Sequence, residues 1–183
     1  MISADLNSDG SDELIFYSTS TKRIGIYSGI PEENVFFKEF PINTEISQLR
    51  LLKEISGNAN LFVALDRKHR KILLIDISID TVNVRDDQLE FDSYPENIFT
   101  DDIDLDGKEE ILVSGSGFDG LSIISIANGG VGELKIITGT SFSEAIFSDF
   151  NDDGYQDVIA FNILENSLQI FKNNTKGTFR LSR

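Results

Sequence analysis

Asp149-Phe150-Asn151-Asp152-Asp153-Gly154-Tyr155-Gln156-Asp157-Val158 places side-chain oxygens at its first, third, fifth and ninth positions, a glycine at its sixth, and apolar residues at its second and tenth. The same pattern runs through Asp5-Leu6-Asn7-Ser8-Asp9-Gly10-Ser11-Asp12-Glu13-Leu14 and through Asp102-Ile103-Asp104-Leu105-Asp106-Gly107-Lys108-Glu109-Glu110-Ile111. The starts lie 97 and 47 residues apart. Because 97 is close to twice 47, a further copy is expected near residue 52. A worn one stands there: Leu52-Lys53-Glu54-Ile55-Ser56-Gly57-Asn58-Ala59-Asn60-Leu61 keeps the glycine and the final apolar residue but has lost the acids at positions one and five. A repeat length in this range belongs to solenoids, propellers and arrays rather than to a single irregular core.

Outward from each loop, the chain reads as β-structure. Apolar runs follow the loops at 14–17, 61–65, 111–113 and 158–161, and second runs follow at 23–27, 71–77, 121–126 and 168–171. Weaker third runs lie at 35–40, 82–91 (interrupted), 134–137 and 179–181, and a further run precedes each later loop at 46–52, 97–100 and 144–148. All are short, rich in Ile, Val, Leu and Phe, and bounded by Gly, Asn, Asp and Ser, as strands are. Pro31, Pro41 and Pro95 fall between runs, and no stretch sustains a 3.6-residue period. The expected fold is all-β. It comprises four repeats, at about 1–44, 45–93, 94–140 and 141–183, of four short antiparallel strands each: the blades of a β-propeller forming a single segment over 1–183.

The loop pattern itself predicts a metal site. A glycine at position six allows a sharp turn with positive φ, which gathers the surrounding oxygens round one point. A hard cation taking six to eight oxygens, Ca²⁺, matches that set better than Mg²⁺, which demands a stricter octahedron. The EF-hand shares the first half of the pattern but needs a bidentate Glu at position twelve. Here that position holds Phe16, Val113 and Ala160, and the flanks are strand-like.

With these residues in view, the chain resembles the FG-GAP or VCBS repeats, the calcium-binding blades of integrin-α-like propellers. The likeness rests on residues 147–159 and on Leu168-Gln169-Ile170-Phe171-Lys172-Asn173-Asn174 leading to Gly177 and Phe179. The resemblance implies that the loop joins the first two strands of a blade and holds Ca²⁺. By position, the implied ligands are Asp5, Asn7, Asp9 and Glu13; Asp102, Asp104, Asp106 and Glu110; and Asp149, Asn151, Asp153 and Asp157. The main-chain carbonyls of Ser11, Lys108 and Tyr155 complete the sets. Three ions are expected, and none in the second repeat. Family propellers usually close with more blades than four. A portion of a longer propeller, a compact four-bladed ring, and closure by a second chain are therefore all open, and open edges offer a route to self-association.

Composition narrows the function. The 183 residues include 31 acidic and 16 basic side chains, for a net charge of −15, with no Cys, no Trp and one His. That excludes disulfides, thiolate metal sites and a cysteine nucleophile, and argues against nucleic-acid binding. The longest apolar runs are far too short to span a membrane as a helix. His69 lies in the basic stretch Arg67-Lys68-His69-Arg70-Lys71, read as a solvated hairpin tip, with a basic docking spot as the alternative. Asn173-Asn174-Thr175 fits a glycosylation sequon. No catalytic set assembles from these residues. The expected function is a non-catalytic structural or recognition module for protein or glycan partners. The alternative is an accessory or catalytic part of an extracellular polysaccharide-degrading enzyme. No leader is visible, and the calcium reading places the chain at the cell surface, outside the cell or in the periplasm.

Overall fold

The structure, a computed structural model, describes residues 1–29, 35–53, 60–127, 130–175 and 177–182. It contains four antiparallel sheets of four strands each, and no helix among the described residues. The first sheet is β1 (Ile2–Ala4), β2 (Glu13–Ser18), β3 (Arg23–Ser28) and β4 (Phe36–Pro41). The second is β5 (Gln48–Leu52), β6 (Leu61–Asp66), β7 (Lys71–Ile77) and β8 (Val82–Glu90). The third is β9 (Asn97–Asp101), β10 (Glu110–Ser114), β11 (Leu121–Ala127) and β12 (Gly130–Ile137). The fourth is β13 (Phe142–Ser148), β14 (Asp157–Asn162), β15 (Ser167–Asn173) and β16 (Phe179–Leu181). Strand order within every sheet follows chain order, so each sheet is a meander closed by hairpins. The first strands β1, β5, β9 and β13 adjoin one another in succession. This is the all-β, propeller-like architecture that the repeats predict.

Packing between sheets explains the burial pattern. Ile15, Ile24 and Ile26 of the first sheet meet Phe62, Ala64, Leu73 and Ile75 of the second. Leu61, Val63, Ile72 and Leu74 on the other face of the second sheet meet Ile98, Ile111, Val113 and Ile124 of the third. Leu112 and Ile123 of the third meet Ala145, Phe147, Val158 and Phe171 of the fourth. The middle sheets are thus covered twice, and β6 and β10 are buried at every position. Side chains alternate across a strand, so the end sheets, covered once, alternate instead: Leu14 on β2 and Phe161 on β14 are exposed. Where β2 approaches β3, the Phe16 ring lies over Gly25, where a Cβ would meet ring carbons at 2.4 Å. The ring also stacks on Phe37 at 5.9 Å.

A short β1 precedes Asp5, and two details differ from the sequence reading. The interruption in the run at 82–91 is a register shift between Leu73 and Ile75, beside which Arg85 makes a two-pronged ion pair with Asp76 at 2.7 and 2.8 Å. In the worn repeat, Phe62, not Leu61, takes the place of Leu14, Ile111 and Val158, for it is Phe62 that packs on the preceding sheet. Counting back then puts Lys53 at position one. The worn loop itself, 54–59, and Pro31 lie outside the described residues.

Candidate metal centre

The three acidic loops connect β1 to β2, β9 to β10 and β13 to β14, and they share one conformation. In each, the Asp at position one accepts the glycine N–H through Oδ2: Gly10 to Asp5 at 2.9 Å, Gly107 to Asp102 at 2.9 Å and Gly154 to Asp149 at 2.8 Å. The position-five N–H donates to Oδ1 of position one and of position three: Asp9 to Asp5 and Asn7, Asp106 to Asp102 and Asp104, and Asp153 to Asp149 and Asn151. The position-five carboxylate in turn accepts the position-seven N–H, from Ser11, Lys108 and Tyr155, at 2.8 to 3.0 Å. The glycines have φ of +86°, +89° and +88°, a region costly for residues bearing a Cβ. Position four is left-handed as well, at Ser8, Leu105 and Asp152, with φ of 57° to 62°. Three unrelated residue types in one strained conformation mean that the loop, not local propensity, sets the backbone.

The curl brings carboxylates together. Oxygens of Asp102, Asp104 and Asp106 lie within 4.8 Å of one another. In the first loop Asn7 takes the place of Asp104, and its amide donates to Asp9 at 2.9 Å. Position nine closes the loop from the start of the second strand. Glu13 and Glu110 are buried and accept the position-two N–H, Leu6 at 2.9 Å and Ile103 at 3.2 Å. The shorter Asp157 is also buried but accepts from Asn173 N–H at 2.8 Å, and its Oδ2 has no hydrogen-bond partner among the described residues. Burial pushes the Glu110 carboxyl up to about 7; the Ile103 N–H opposes this, while Asp104, Asp106 and Asp102 add to it. Asp5 is held below the usual carboxylate range, chiefly by the Gly10 amide. A buried oxygen without a protein partner, and carboxylates gathered round one point, are what a hard cation with oxygen ligands suits. The residues present therefore fit Ca²⁺. Carbonyls of Ser11, Lys108 and Tyr155 are on the same loops, in the place the pattern requires.

The other sequence candidates become structural parts. Asp66 is buried; it accepts the Thr44 hydroxyl, the His69 N–H at 3.0 Å and bonds the His69 ring at 2.8 Å. Asn162, at the corresponding end of β14, binds Thr140 and accepts from Leu164 and Glu165 N–H. The shared arrangement ties each hairpin turn to the connector before its sheet, so Asp66 and His69 hold the turn. The basic tip is already engaged: Arg67 pairs with Glu96, Lys68 with Glu45, and Arg70 lies over the Tyr94 ring at 5.5 Å. Asn173 is buried, donating to the Ile103 and Gln156 carbonyls at 2.8 and 3.1 Å, which leaves no room for a glycan on the folded chain.

No protein-family model matches the chain, and no curated protein does. Solved structures do match. One is a candidate 6-phosphogluconolactonase from Bacteroides fragilis, 12% identical, with a TM-score of 0.56 over 99% of this chain. The chain spans 57% of the length of that protein. At this identity the likeness shows the fold. It also corrects the expected function: a protein of the same architecture is named as an enzyme, so the expectation of a non-catalytic structural or recognition module does not stand. The physical reason is that sheet packing and hairpin register build the frame, and they are indifferent to what the surface loops do.

Proposed function

We propose that the three acidic loops are Ca²⁺ sites and that the bound ions fasten the first two strands of their blades, in the manner of FG-GAP or VCBS repeats. Asp5, Asn7, Asp9 and Glu13, Asp102, Asp104, Asp106 and Glu110, and Asp149, Asn151, Asp153 and Asp157 supply the side-chain ligands, with the carbonyls of Ser11, Lys108 and Tyr155. The observation that carries this reading is the buried Asp157 Oδ2, unpartnered at position nine of a loop whose three copies share one hydrogen-bond pattern. Binding that favours the folded state stabilises it by about 2.7 kcal/mol for one site at a hundredfold excess over Kd. Loops of this openness suit the millimolar calcium found outside cells, and we place the chain there. The activity named for the structural neighbour is not carried over.

Thermal unfolding followed by circular dichroism tests this. Millimolar Ca²⁺ raises the Tm and a chelator lowers it. Identical melting curves in the two conditions would retire the proposal.

A further inference from the structure

The residues at position nine are not equivalent, and the difference joins two of the three loops. Glu13 and Glu110 reach back along their own loops to the N–H of Leu6 and of Ile103. Asp157 is shorter by a methylene and turns to another strand of its sheet instead. Its Oδ1 accepts the Asn173 N–H of β15 at 2.8 Å, and its Oδ2 is the atom without a partner among the described residues. The Asn173 side chain then crosses to the loop of the third sheet. Its Nδ2 donates to the Ile103 carbonyl at 2.8 Å, and the Ile103 N–H donates to Glu110 Oε2 at 3.2 Å.

An unbroken chain of bonds thus runs from Asp157 to Glu110, both at position nine, through Asn173 and Ile103. Ile103 stands between Asp102 and Asp104, so both peptide groups that join those two carboxylates are held. Asn173 is fixed in turn: its Oδ1 accepts the Gly177 N–H, and its Nδ2 also donates to the Gln156 carbonyl, each at 3.1 Å. The Ile103 side chain shares a core with Phe171 of β15. All four members of the chain are buried, where hydrogen bonds are stronger than in water. The first loop has a different neighbour. Its Leu6 carbonyl accepts from Asn60 at 3.3 Å, and Asn60 belongs to the worn second repeat, for which no ion is expected.

We infer that the second and third loops bind Ca²⁺ cooperatively, with Asn173 as the positioning residue between them, and that the first loop binds independently. The inference rests on the calcium reading proposed above. Engagement of Asp157 Oδ2 fixes the carboxylate that holds the Asn173 backbone. The Asn173 amide then holds the Ile103 carbonyl, and with it the spacing of Asp102 and Asp104. A loop ordered in this way is competent for its own ion more of the time, which raises its apparent affinity. Linkage makes the effect reciprocal, so filling the second loop favours the third equally. Direct repulsion between two dications acts in the opposite direction, and physiological salt screens it beyond about 8 Å.

Calorimetric titration of chelator-treated full chain with Ca²⁺, in physiological salt, tests this on variants that each remove one loop's site. Asp9→Ala leaves the second and third sites. Combined with Asp149→Ala it leaves the second alone, and combined with Asp106→Ala the third alone. The product of the two binding constants in the two-site chain is expected to exceed the product of the single-site constants by about fivefold or more. Asp149→Ala leaves the first and second sites, and there the two products are expected to be equal. Asn173→Ala keeps the main-chain N–H that Asp157 accepts and removes the bridge to Ile103. Added to Asp9→Ala, it is expected to abolish the excess while two ions still bind. No excess in Asp9→Ala, or an excess that survives Asn173→Ala, overturns the inference. A second measurement covers the case in which Asn173→Ala unfolds. In the chain that keeps only the second site, Ca²⁺ is expected to shift the nitrogen-15 resonance of the Asn173 side-chain amide, and an unmoved resonance overturns the relay. Failure of the calcium reading looks different: no chain binds, and the coupling falls with it.

Discussion

At the scale of single residues, the loops divide into what the pattern determines and what only the fold reveals. Position six was legible because one residue type tolerates its backbone. Gly154→Ala, at φ +88°, is expected to cost about 1–2 kcal/mol and to weaken Ca²⁺ binding at its own site, measured by denaturant unfolding and calorimetry. The left-handed position four was not legible, because Ser8, Leu105 and Asp152 share no local preference for it. Asp157 offers a sharper test. Asp157→Asn keeps the size of the side chain and removes a carboxylate, so stability in chelator should change by less than about 1 kcal/mol, while the calcium-induced rise in Tm shrinks. Equal losses with and without Ca²⁺ would mean a purely structural role. Asp66 predicts a pH effect. Burial works to raise its carboxyl, but the Thr44 hydroxyl and the His69 ring and N–H outweigh it, and the group is held below its usual value. A depressed carboxyl contributes stability above its unfolded pKa of about 3.9, which is lost as pH falls through the folded value. Acid unfolding of Asp66→Asn should accordingly show a weaker dependence on pH below about 4.

At the scale of elements, strand positions were legible from runs of Ile, Val, Leu and Phe, but faces were not. Leu14, Phe62, Ile111 and Val158 are equivalent along the repeat, and only their neighbours decide which are covered. The worn second loop shows the limit of counting. Aligned on Gly57, the repeat puts Leu61 at position ten, and one residue of slippage exchanges the faces of a strand. The register shift opposite Leu73 and Ile75 was visible only as weak patterning over 82–91, where Arg85 pairs with Asp76 of the neighbouring strand. The consequence for stability is directional. Leu74→Ala, between the second and third sheets, is expected to cost about 2–5 kcal/mol in denaturant unfolding. Leu168→Ala, on an exposed face, should cost under about 1 kcal/mol.

At the scale of the molecule, the net charge of −15 has a location: 14 of the 31 acids lie at residues 5–13, 101–110 and 149–157. Three Ca²⁺ ions would offset a large share of it, and unfavourable self-repulsion of the compact state would fall accordingly. The architecture follows from the repeats, because a 47-residue period with four runs leaves few alternatives. Function did not follow in the same way. A structural or recognition module was expected because no catalytic set assembles from the residues, and a fold shared with a protein named as an enzyme removes that inference without supplying another. What the loops share is one hydrogen-bond pattern, which we propose as a cation site repeated three times. The measurement that tests it most directly is isothermal titration of the chelator-treated full chain with Ca²⁺. The account predicts three ions per chain, and two after Asp106→Ala or Asp149→Ala, each of which removes one loop's site. Absence of binding at millimolar Ca²⁺, or an unaltered stoichiometry in both variants, would contradict it.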